Sequence, residues 1–422
     1  MQEERKPRVI VAHPSKQHSF YTATALKREG ILFKYITTVY DKKSSLTNRL
    51  KNFLKGKDLA KANTRKCNDL DDADVEQFCE FNWLISLLLN RYPRLNRIRE
   101  YHRRIVTNKF GKKVANYAIK NCVDAVIMYD TTAMVCFRIL KKKAPQIKLI
   151  LDVSIATRPY MRKIFEKDII TSQNKQIRNE QWVMWDKRFE TYLQKEMDLS
   201  DAFLSPSNFV KNSLISCGQN NIYVVPYGID TSLFTPKQIN YSNDLPLKLI
   251  YVGQVNHRKG IHHLLKVVSE YNSNRVILNL CGCYDKSSAL YKDYSHCENI
   301  HFRGFVNKEQ LSKEYQSADA FIIPTLGEGM AQVGIEALAC GLPVLCTPCS
   351  GVNDLIIEGV NGYVFSESNN FALKEIIDKC IDNIEHIRLM CFEATKTGQK
   401  YSLDLYHKNL VVSVYNILGE NA

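Results

Sequence analysis

Short apolar segments of strand length alternate with helix-length segments along most of this chain, and the alternation runs through both halves. The strand-like segments of the first half are 8–13, 31–37, 125–129, 148–153, 202–206 and 222–226. Those of the second half are 247–252, 276–281, 300–302, 320–324, 343–346 and 363–365. Such alternation predicts parallel sheets that helices cover on both faces. We therefore expect an α/β protein made of two similar domains.

The length of the chain agrees with two domains, because 422 residues exceed the size at which a single core usually stops growing. Residues 230–248 are polar and contain two prolines, which is typical of a linker. We place the first domain at 1–235 and the second at 246–400, with a cleft beside the linker. Residues 401–422 are predicted to contain a helix that either crosses back to the first domain or caps the second.

Between residues 42 and 113 the alternation gives way to a helix-like, strongly basic insertion. Trp83, Leu87 and Tyr92 lie close to helical spacing, and the arginines around and after them are Arg91, Arg94, Arg97, Arg99, Arg103 and Arg104. Two interpretations stay open. The segment is either an amphipathic helix packed on its own domain, or a surface that meets anionic lipid or a phosphorylated acceptor. The acidic run at 69–74 looks like a metal-binding motif, but a helix cap is the simpler explanation.

The composition favours a reduced, cytoplasmic enzyme with an anionic partner. The net charge of +14 indicates attraction to nucleic acid, membrane headgroups or phosphorylated substrates, but no signature of the common RNA-binding modules occurs. No apolar run approaches the roughly 20 residues that span a bilayer, and residues 1–11 are too polar for a secretory signal. The thirteen cysteines lack paired metal-ligand spacing and are predicted to be reduced. We expect no metal site and no nucleic-acid partner.

Two adjacent cations follow the first strand of the second domain. Gly253 ends the strand, and Arg258 and Lys259 stand immediately before the next predicted helix. A glycine at this place lets the backbone approach a ligand, and cations at a strand end suit a diphosphate.

Two carboxylates, Glu328 and Glu336, follow the strand at 320–324 in a segment that otherwise reads as buried. We expect the helix that contains Glu336 to open at Glu328, directly after this strand. The N-terminus of that helix would attract phosphate. If the step is fully helical, its eight residues rise about 12 Å, comparable to a nucleotide sugar from ribose to hexose. One carboxylate would then hold each end of the ligand, with the diphosphate on the backbone between them.

Four motifs in fixed order, VGQ…RKG, PTLGEGMAQVGIEALACGLPV, SGVNDLI and GVNGYVF, closely resemble the pattern of glycosyltransferase family 4. The segment from Ser200 to Pro236 resembles that family's passage into its second domain. The resemblance covers about 199–365 strongly and the first 200 residues weakly. It implies the GT-B fold, in which two Rossmann-like, doubly wound parallel-sheet domains face a central cleft.

The resemblance also implies a retaining transfer of a hexose from a UDP- or GDP-sugar, without an organic cofactor or an obligatory metal. Arg258 and Lys259 would stabilise the leaving diphosphate, Glu328 would contact the donor sugar, and Glu336 would hold the ribose. The donor-binding residues implied in this way are Gly253, Arg258, Lys259, Glu328, Gly329, Met330, Ala331 and Glu336.

The first domain departs from the family pattern. The segment HPSKQHSF stands where a glycine-rich loop is usual, and the family's acceptor-side histidine is not evident. Polar residues at predicted strand ends and in the first loop are the candidates for acceptor contacts: His13, Lys16, Gln17, His18, Asp130 and Asp152. A structural hydrogen-bonding role is the alternative for each.

The function predicted from these features is hexose transfer to an acceptor such as a cell-surface glycan or a lipid-linked saccharide. If the basic insertion binds lipid, the protein would lie at the inner face of the membrane. The altered first loop keeps a second hypothesis open: a non-catalytic protein of the same fold that binds a nucleotide sugar.

Overall fold

The computed structural model describes residues 5–15, 18–238 and 244–419, and within them the chain forms thirteen strands and eighteen α-helices. The strands are β1 Val9–Ala12, β2 Leu32–Thr37, β3 Val75–Gln77, β4 Ala125–Tyr129, β5 Lys148–Asp152, β6 Ala202–Ser205, β7 Ile222–Val224, β8 Leu247–Val252, β9 Val276–Cys281, β10 Ile300–Gly304, β11 Ala320–Ile323, β12 Val344–Cys346 and β13 Gly362–Val364. The helices are α1 Ser19–Glu29, α2 Leu46–Lys51, α3 Gly56–Asn63, α4 Glu80–Leu89, α5 Asn96–Lys120, α6 Met134–Lys143, α7 Arg158–Ser172, α8 Gln176–Glu180, α9 Lys187–Asp198, α10 Asn208–Ile215, α11 Ile261–Val268, α12 Ala289–Lys292, α13 Lys308–Gln316, α14 Gln332–Ala339, α15 Asn370–Asp382, α16 Ile384–Leu389, α17 Cys391–Lys400 and α18 Leu403–Leu418.

The first domain is built on a parallel sheet of strand order β3-β2-β1-β4-β5-β6-β7. Ile10 and Ala12 of β1 belong to the core on one face of this sheet, and Val9 and Val11 belong to the core on the other. Successive strand residues point to opposite faces, so a continuous apolar run requires cover on both sides. The predicted arrangement of helices on both faces follows from this requirement.

The second domain repeats the plan, with a parallel sheet of strand order β10-β9-β8-β11-β12-β13. Leu249 and Ile250 of β8 pack into different cores, as in the first sheet. The prediction of two parallel-sheet α/β domains is therefore confirmed. In each sheet the strand order reverses direction beside the first strand of the domain, between β1 and β4 and between β8 and β11. Ligands of doubly wound sheets bind at such switch points.

The basic insertion at 42–113 differs from its prediction in two ways. It contains β3, which adds an edge strand to the first sheet by pairing with β2. The helix-like segment is also two helices, because α4 ends at Leu89 and a 3₁₀ turn at Pro93–Leu95 precedes α5. Proline lacks an N–H group and disfavours helical backbone in the preceding residue, which explains the break.

The acidic run of the insertion forms a cap. Asp71 and Asp74 make reciprocal capping contacts around the 3₁₀ turn Asp72–Asp74, and both carboxylates pair with Lys27. In the part of the chain that the structure describes, no helix combines the length and the hydrophobicity needed to cross a membrane.

The C-terminal helix α18 lies on the first domain. The hydroxyl groups of Tyr406 and Thr22 are 3.0 Å apart, and Leu410 and Val414 join the core that also contains β1 residues. The chain reaches this position by passing close to Gly228, where a Cβ atom would lie 2.2 Å from the carbonyl oxygen of Ser402.

Candidate active site

The loop between β8 and α11 presents the two predicted cations. The Asn256 side chain accepts a hydrogen bond from the Lys259 backbone N–H at 3.1 Å and so caps the 3₁₀ turn His257–Lys259. Gly260 then turns the chain with φ +68°, and a Cβ there would lie 1.8 Å from the carbonyl oxygen of Pro324. Only glycine allows this loop to lie against the end of β11. The loop that contains Glu328 starts at the same end of β11.

Arg258 and Lys259 both contact Glu328. Nη1 of Arg258 lies 2.7 Å from Oε1 of Glu328, and Nζ of Lys259 lies 2.5 Å from the same oxygen. Nη1 of Arg258 also donates to the carbonyl oxygen of Gly327 at 2.7 Å. Burial lowers the pKa of Lys259, while the charge of Glu328 acts in the opposite direction. The three predicted side chains therefore form one compact charged cluster, largely shielded from water.

The loop at 324–331 is not helical, so the expectation of a helix opening at Glu328 was wrong. Helix α14 begins only at Gln332. The loop is instead fixed by long-range hydrogen bonds: Glu328 N–H donates to the Cys349 carbonyl, and Ala331 N–H donates to the Ser350 carbonyl. The assumption of a fully helical step from Glu328 to Glu336 does not hold.

Glu336 lies half-buried on α14. The Tyr315 hydroxyl donates to Oε2 of Glu336 at 3.3 Å, which supplies a partner for this carboxylate. Through Tyr315, Glu336 contacts α13 of the second domain.

The loop of the second domain contacts strand ends of the first. Oγ of Ser207 donates to the Gly329 carbonyl oxygen at 2.5 Å, and the Tyr227 N–H points to Sδ of Met330 at 3.2 Å. A Cβ on Gly329 would lie 1.8 Å from the carbonyl oxygen of Ser154. The two domains therefore meet directly at the loop 324–331, which we call the donor loop after the donor-binding residues expected in it.

Asp130 and His18 each contact a first-domain residue that meets this loop: Asp130 contacts Ser154, and His18 contacts Tyr227. Asp130 accepts hydrogen bonds from the backbone and hydroxyl of Ser154, and burial raises the pKa of Asp130. Nε2 of His18 lies 3.0 Å from Oδ2 of Asp152, and the His18 ring packs on Tyr227. Through Ser154 and Tyr227, these three acceptor-side candidates are joined to the donor loop.

His13 follows β1 and packs edge-on against Tyr129 at 5.1 Å between ring centroids. Burial lowers the pKa of His13 to about 4, so the imidazole is neutral at physiological pH. The predicted candidates Lys16 and Gln17 lie outside the described residues.

Sequence reasoning missed two groups of residues. Buried Glu196 accepts backbone N–H groups of Thr131, Ala133 and Met134, and so fixes the turn after Asp130. Burial raises the pKa of Glu196 to about 8. The second group lies between the domains, where Asp168 meets His262 and His263. The histidine-rich segment NHRKGIHH was the only sequence signal for it.

A protein-family model matches the part of the chain that contains this charged cluster. Residues 235–396 match the model described as Glycosyl transferases group 1. That range contains the whole second sheet together with Arg258, Lys259 and Glu328. The second domain therefore resembles group 1 glycosyl transferase domains. We refer to residues 235–396 below as the group 1 domain.

Curated relatives each match part of the chain. The uncharacterised glycosyltransferase MJ1607 of Methanocaldococcus jannaschii is 28% identical over 205 residues, which cover 46% of this chain and 52% of that protein. The O-antigen biosynthesis glycosyltransferase WbnH of Escherichia coli is 30% identical over 182 residues, which cover 40% and 51%. The chain thus spans about half the length of the curated relatives that it matches.

Solved structures resemble the whole chain. Sucrose-phosphate synthase from Thermosynechococcus elongatus has a TM-score of 0.65 at 15% identity, covering 98% of this chain and 99% of that one. Anabaena HepE in complex with UDP has a TM-score of 0.63 at 14% identity, covering 97% and 100%. These likenesses show that the group 1 domain and the first domain together have the GT-B fold.

Proposed function

We propose that this protein is a retaining glycosyltransferase that moves a hexose from a UDP- or GDP-sugar to a glycan acceptor. The observation that carries the proposal is the convergence of Arg258 and Lys259 on Glu328 at the switch point of the group 1 domain. A glycosidic bond to a diphosphate breaks more easily when fixed positive charge stabilises the departing oxyanion. Two cations beside a carboxylate that can bind sugar hydroxyls suit that task.

The Arg258 guanidinium can bind a diphosphate without leaving Glu328. Its contacts to Gly327 and Glu328 both use Nη1, and a guanidinium has further N–H donors in a planar fork. Lys259 adds a point charge, and its Nζ is held 2.5 Å from the carboxylate of Glu328. We propose that these cations replace a catalytic metal, that no organic cofactor takes part, and that the acceptor attacks from the face that the diphosphate leaves.

The rest of the donor would extend along the group 1 domain. Glu328 would accept hydrogen bonds from the sugar, the backbone of Gly329, Met330 and Ala331 would line it, and Glu336 would bind the ribose. The structure of HepE, which this chain resembles in fold, is a complex with UDP. That likeness supports a nucleoside diphosphate as the leaving group.

On the acceptor side, a groove of about 580 Å³ lies in the first domain beside His13. Four arginines and one glutamate line it: Arg103, Arg104, Arg158, Arg188 and Glu100. Exposed apolar side chains of the neighbouring α4–α5 region include Leu88, Tyr92 and Tyr101. We propose that this groove binds the phosphate of a lipid-linked saccharide, and that the apolar side chains contact an anionic membrane surface.

The reaction then takes place at the cytoplasmic side, with the protein bound peripherally. The name of the relative WbnH, an O-antigen biosynthesis glycosyltransferase, supports a polysaccharide pathway for this chain.

Arg103→Ala combined with Arg188→Ala should raise the KM for a lipid-diphosphate acceptor while the KM for the donor stays unchanged. Equal binding to neutral and anionic vesicles would contradict the membrane part of the proposal.

A thermal-shift panel of nucleoside diphosphates and nucleotide sugars is the first test of the donor, because a tight ligand raises the apparent stability. With the donor identified, Glu328→Gln and Lys259→Ala should each lower kcat/KM for transfer at least tenfold, about 1.4 kcal/mol. Lys266→Ala, an exposed lysine on α11, is the matched control. Unchanged transfer in both site variants would remove the catalytic assignment.

The second candidate is a non-catalytic protein that binds a nucleotide sugar, and the unusual first loop that contains His13 favours it. Release of the nucleoside diphosphate from the donor in the absence of an acceptor separates the two functions. An enzyme releases it slowly, whereas a binding protein releases none at any protein concentration.

A further inference from the structure

A second cluster of titratable side chains lies outside the candidate active site, where α7 of the first domain meets α11 of the group 1 domain. Asp168 of α7 faces His262 and His263 of α11, and one potential ligand atom from each lies within 4.8 Å of the other two. The side chains of Asp168 and His263 are only 1% and 5% exposed. None of the three residues takes part in the proposed transfer.

The hydrogen bonds of His263 fix which of its nitrogens faces Asp168. Nδ1 lies 2.6 Å from the side-chain oxygen of Asn370, so Nδ1 carries a proton. Nε2 lies 2.6 Å from Oδ1 of Asp168. A neutral imidazole has one protonated nitrogen, so the lone pair of Nε2 is directed at a carboxylate oxygen. Such a contact requires a positive charge at this point.

One atom of Asp168 also lacks a partner. Oδ2 of Asp168 is buried, with no hydrogen-bond partner among the described residues. Nε2 of His262 forms a long hydrogen bond with Oδ1 of Asp168 at 3.4 Å and lies 3.2 Å from Oδ2 without hydrogen-bonding geometry. A single protonated histidine would satisfy Oδ1 but would leave Oδ2 unmatched, and a buried unpaired carboxylate oxygen is costly.

We propose that Asp168, His262 and His263 bind a divalent transition-metal ion, with zinc as the best match. Two imidazole nitrogens and a carboxylate form a common zinc ligand set, and a water can occupy the fourth position. Ligand atoms about 2.0–2.1 Å from a tetrahedral zinc are about 3.3 Å apart. The separations of 3.2 and 3.4 Å between His262 and the Asp168 oxygens match this spacing.

The contact between His263 and Asp168 must widen when the metal binds, because 2.6 Å is shorter than that spacing. Two outer partners are already in place to orient the ligands. Asn370 accepts from Nδ1 of His263, and Oγ of Ser368 donates to Oδ1 of Asp168 at 2.8 Å. Such partners fix the tautomer of a metal-binding histidine and raise the affinity of the site.

The metal would join the two domains. Asp168 belongs to the first domain, whereas α11 begins two residues after Lys259 in the group 1 domain. A bound ion would therefore hold the Arg258–Lys259 turn at a fixed distance from the first domain. Its role would be structural, because its ligands are not among the residues proposed to act in the transfer.

Metal titration of the tag-free, full-length protein tests the site. After treatment with EDTA, zinc chloride is titrated against a competing chelator, and cobalt binding is followed by visible absorption. We expect one equivalent to bind tightly and to raise the melting temperature. Asn370→Ala should weaken binding about 10–100-fold, as expected for an outer partner. Asp168→Asn and His263→Gln should weaken it further, whereas His386→Gln, an exposed histidine of the group 1 domain, should not.

The thirteen free cysteines are the competing zinc ligands in this protein. A thiolate-to-cobalt charge-transfer band, or zinc binding that Asp168→Asn, His263→Gln and Asn370→Ala all leave unchanged, would overturn the proposal. Failure of the intact protein to bind any zinc would overturn it as well. Circular dichroism confirms that each variant is folded, and the mild variant Asn370→Ala keeps the test decisive if the ligand variants do not fold.

Discussion

The ammonium of Lys259 and the carboxylate of Glu328 lie 2.5 Å apart, although they follow two different strands of the second sheet. Strands β8 and β11 are hydrogen-bonded neighbours, so their carboxyl ends bring both loops to one edge of the sheet. Arg258 contacts the same carboxylate oxygen, which leaves one negative group between two positive ones. This local excess of positive charge is what a diphosphate would neutralise.

Removal of the negative charge of Glu328 should lower the stability of the protein and increase the rise in melting temperature that a nucleoside diphosphate causes. We expect Glu328→Gln to reduce the free energy of unfolding by about 1–3 kcal/mol, because two shielded cations then lack their partner. The loss is smaller than for a fully buried pair, since the three side chains keep exposures of 15–19%. UDP or GDP should raise the melting temperature of this variant more than that of the wild type. A smaller shift than in the wild type would contradict the proposed diphosphate position.

Gly329 should be intolerant of a side chain. Gly329→Ala places a Cβ atom 1.8 Å from the carbonyl oxygen of Ser154, so the donor loop and the first domain must move apart. We expect about 1–3 kcal/mol of destabilisation and a weaker thermal shift with the nucleoside diphosphate. Gly218→Ala is the control, because a Cβ there meets nothing within 4 Å and only the positive φ is strained. Equal loss of nucleotide affinity in both variants would argue against a special role for the interdomain contact.

Helix α18 should stabilise the first domain through its buried face. Leu410→Ala removes a side chain that is 1% exposed, and we expect a loss of about 2–5 kcal/mol in urea unfolding. Val412→Ala on the same helix changes a residue that is 38% exposed and should cost less than about 1 kcal/mol. If the two variants unfold at the same urea concentration, the packing of α18 on the first domain is wrong.

His13 should make stability depend on pH in the acidic range. Burial lowers the pKa of His13 to about 4, whereas an unfolded histidine titrates near 6.5. Between these values the unfolded state binds more protons, so the stability that neutral His13 confers is present above pH 6.5 and is lost as the pH falls toward 4. The full contribution is about 3 kcal/mol.

The measurement is the difference between the wild type and His13→Gln in unfolding free energy across pH 4–7. This difference should shrink as the pH falls, because glutamine does not titrate. Other groups such as Asp130 and Glu196 titrate in both proteins and cancel in the comparison. A constant difference across the range would show that His13 titrates normally in the folded protein.

Much of the fold and part of the candidate site could be predicted from the chain alone. The apolar runs predicted the two parallel sheets, because a strand buried on both faces must be apolar along its length. Arg258, Lys259 and Glu328 were predicted as donor-site residues through the family resemblance, and they are adjacent because parallel strands end at the same edge of the sheet. The three-residue strand β3 was missed, since Val75–Gln77 carries almost no apolar signal.

The sequence by itself determined the strand alternation, the order of the motifs and the candidate residues Arg258, Lys259 and Glu328, because each of these is read from a short local pattern. Only the tertiary structure decided that Gly329 packs on Ser154, that α18 returns to the first domain, and that Asp168 meets His263. These residues are far apart in the chain, and periodicity contains no information about which distant surfaces meet. Close packing between the domains sets those contacts.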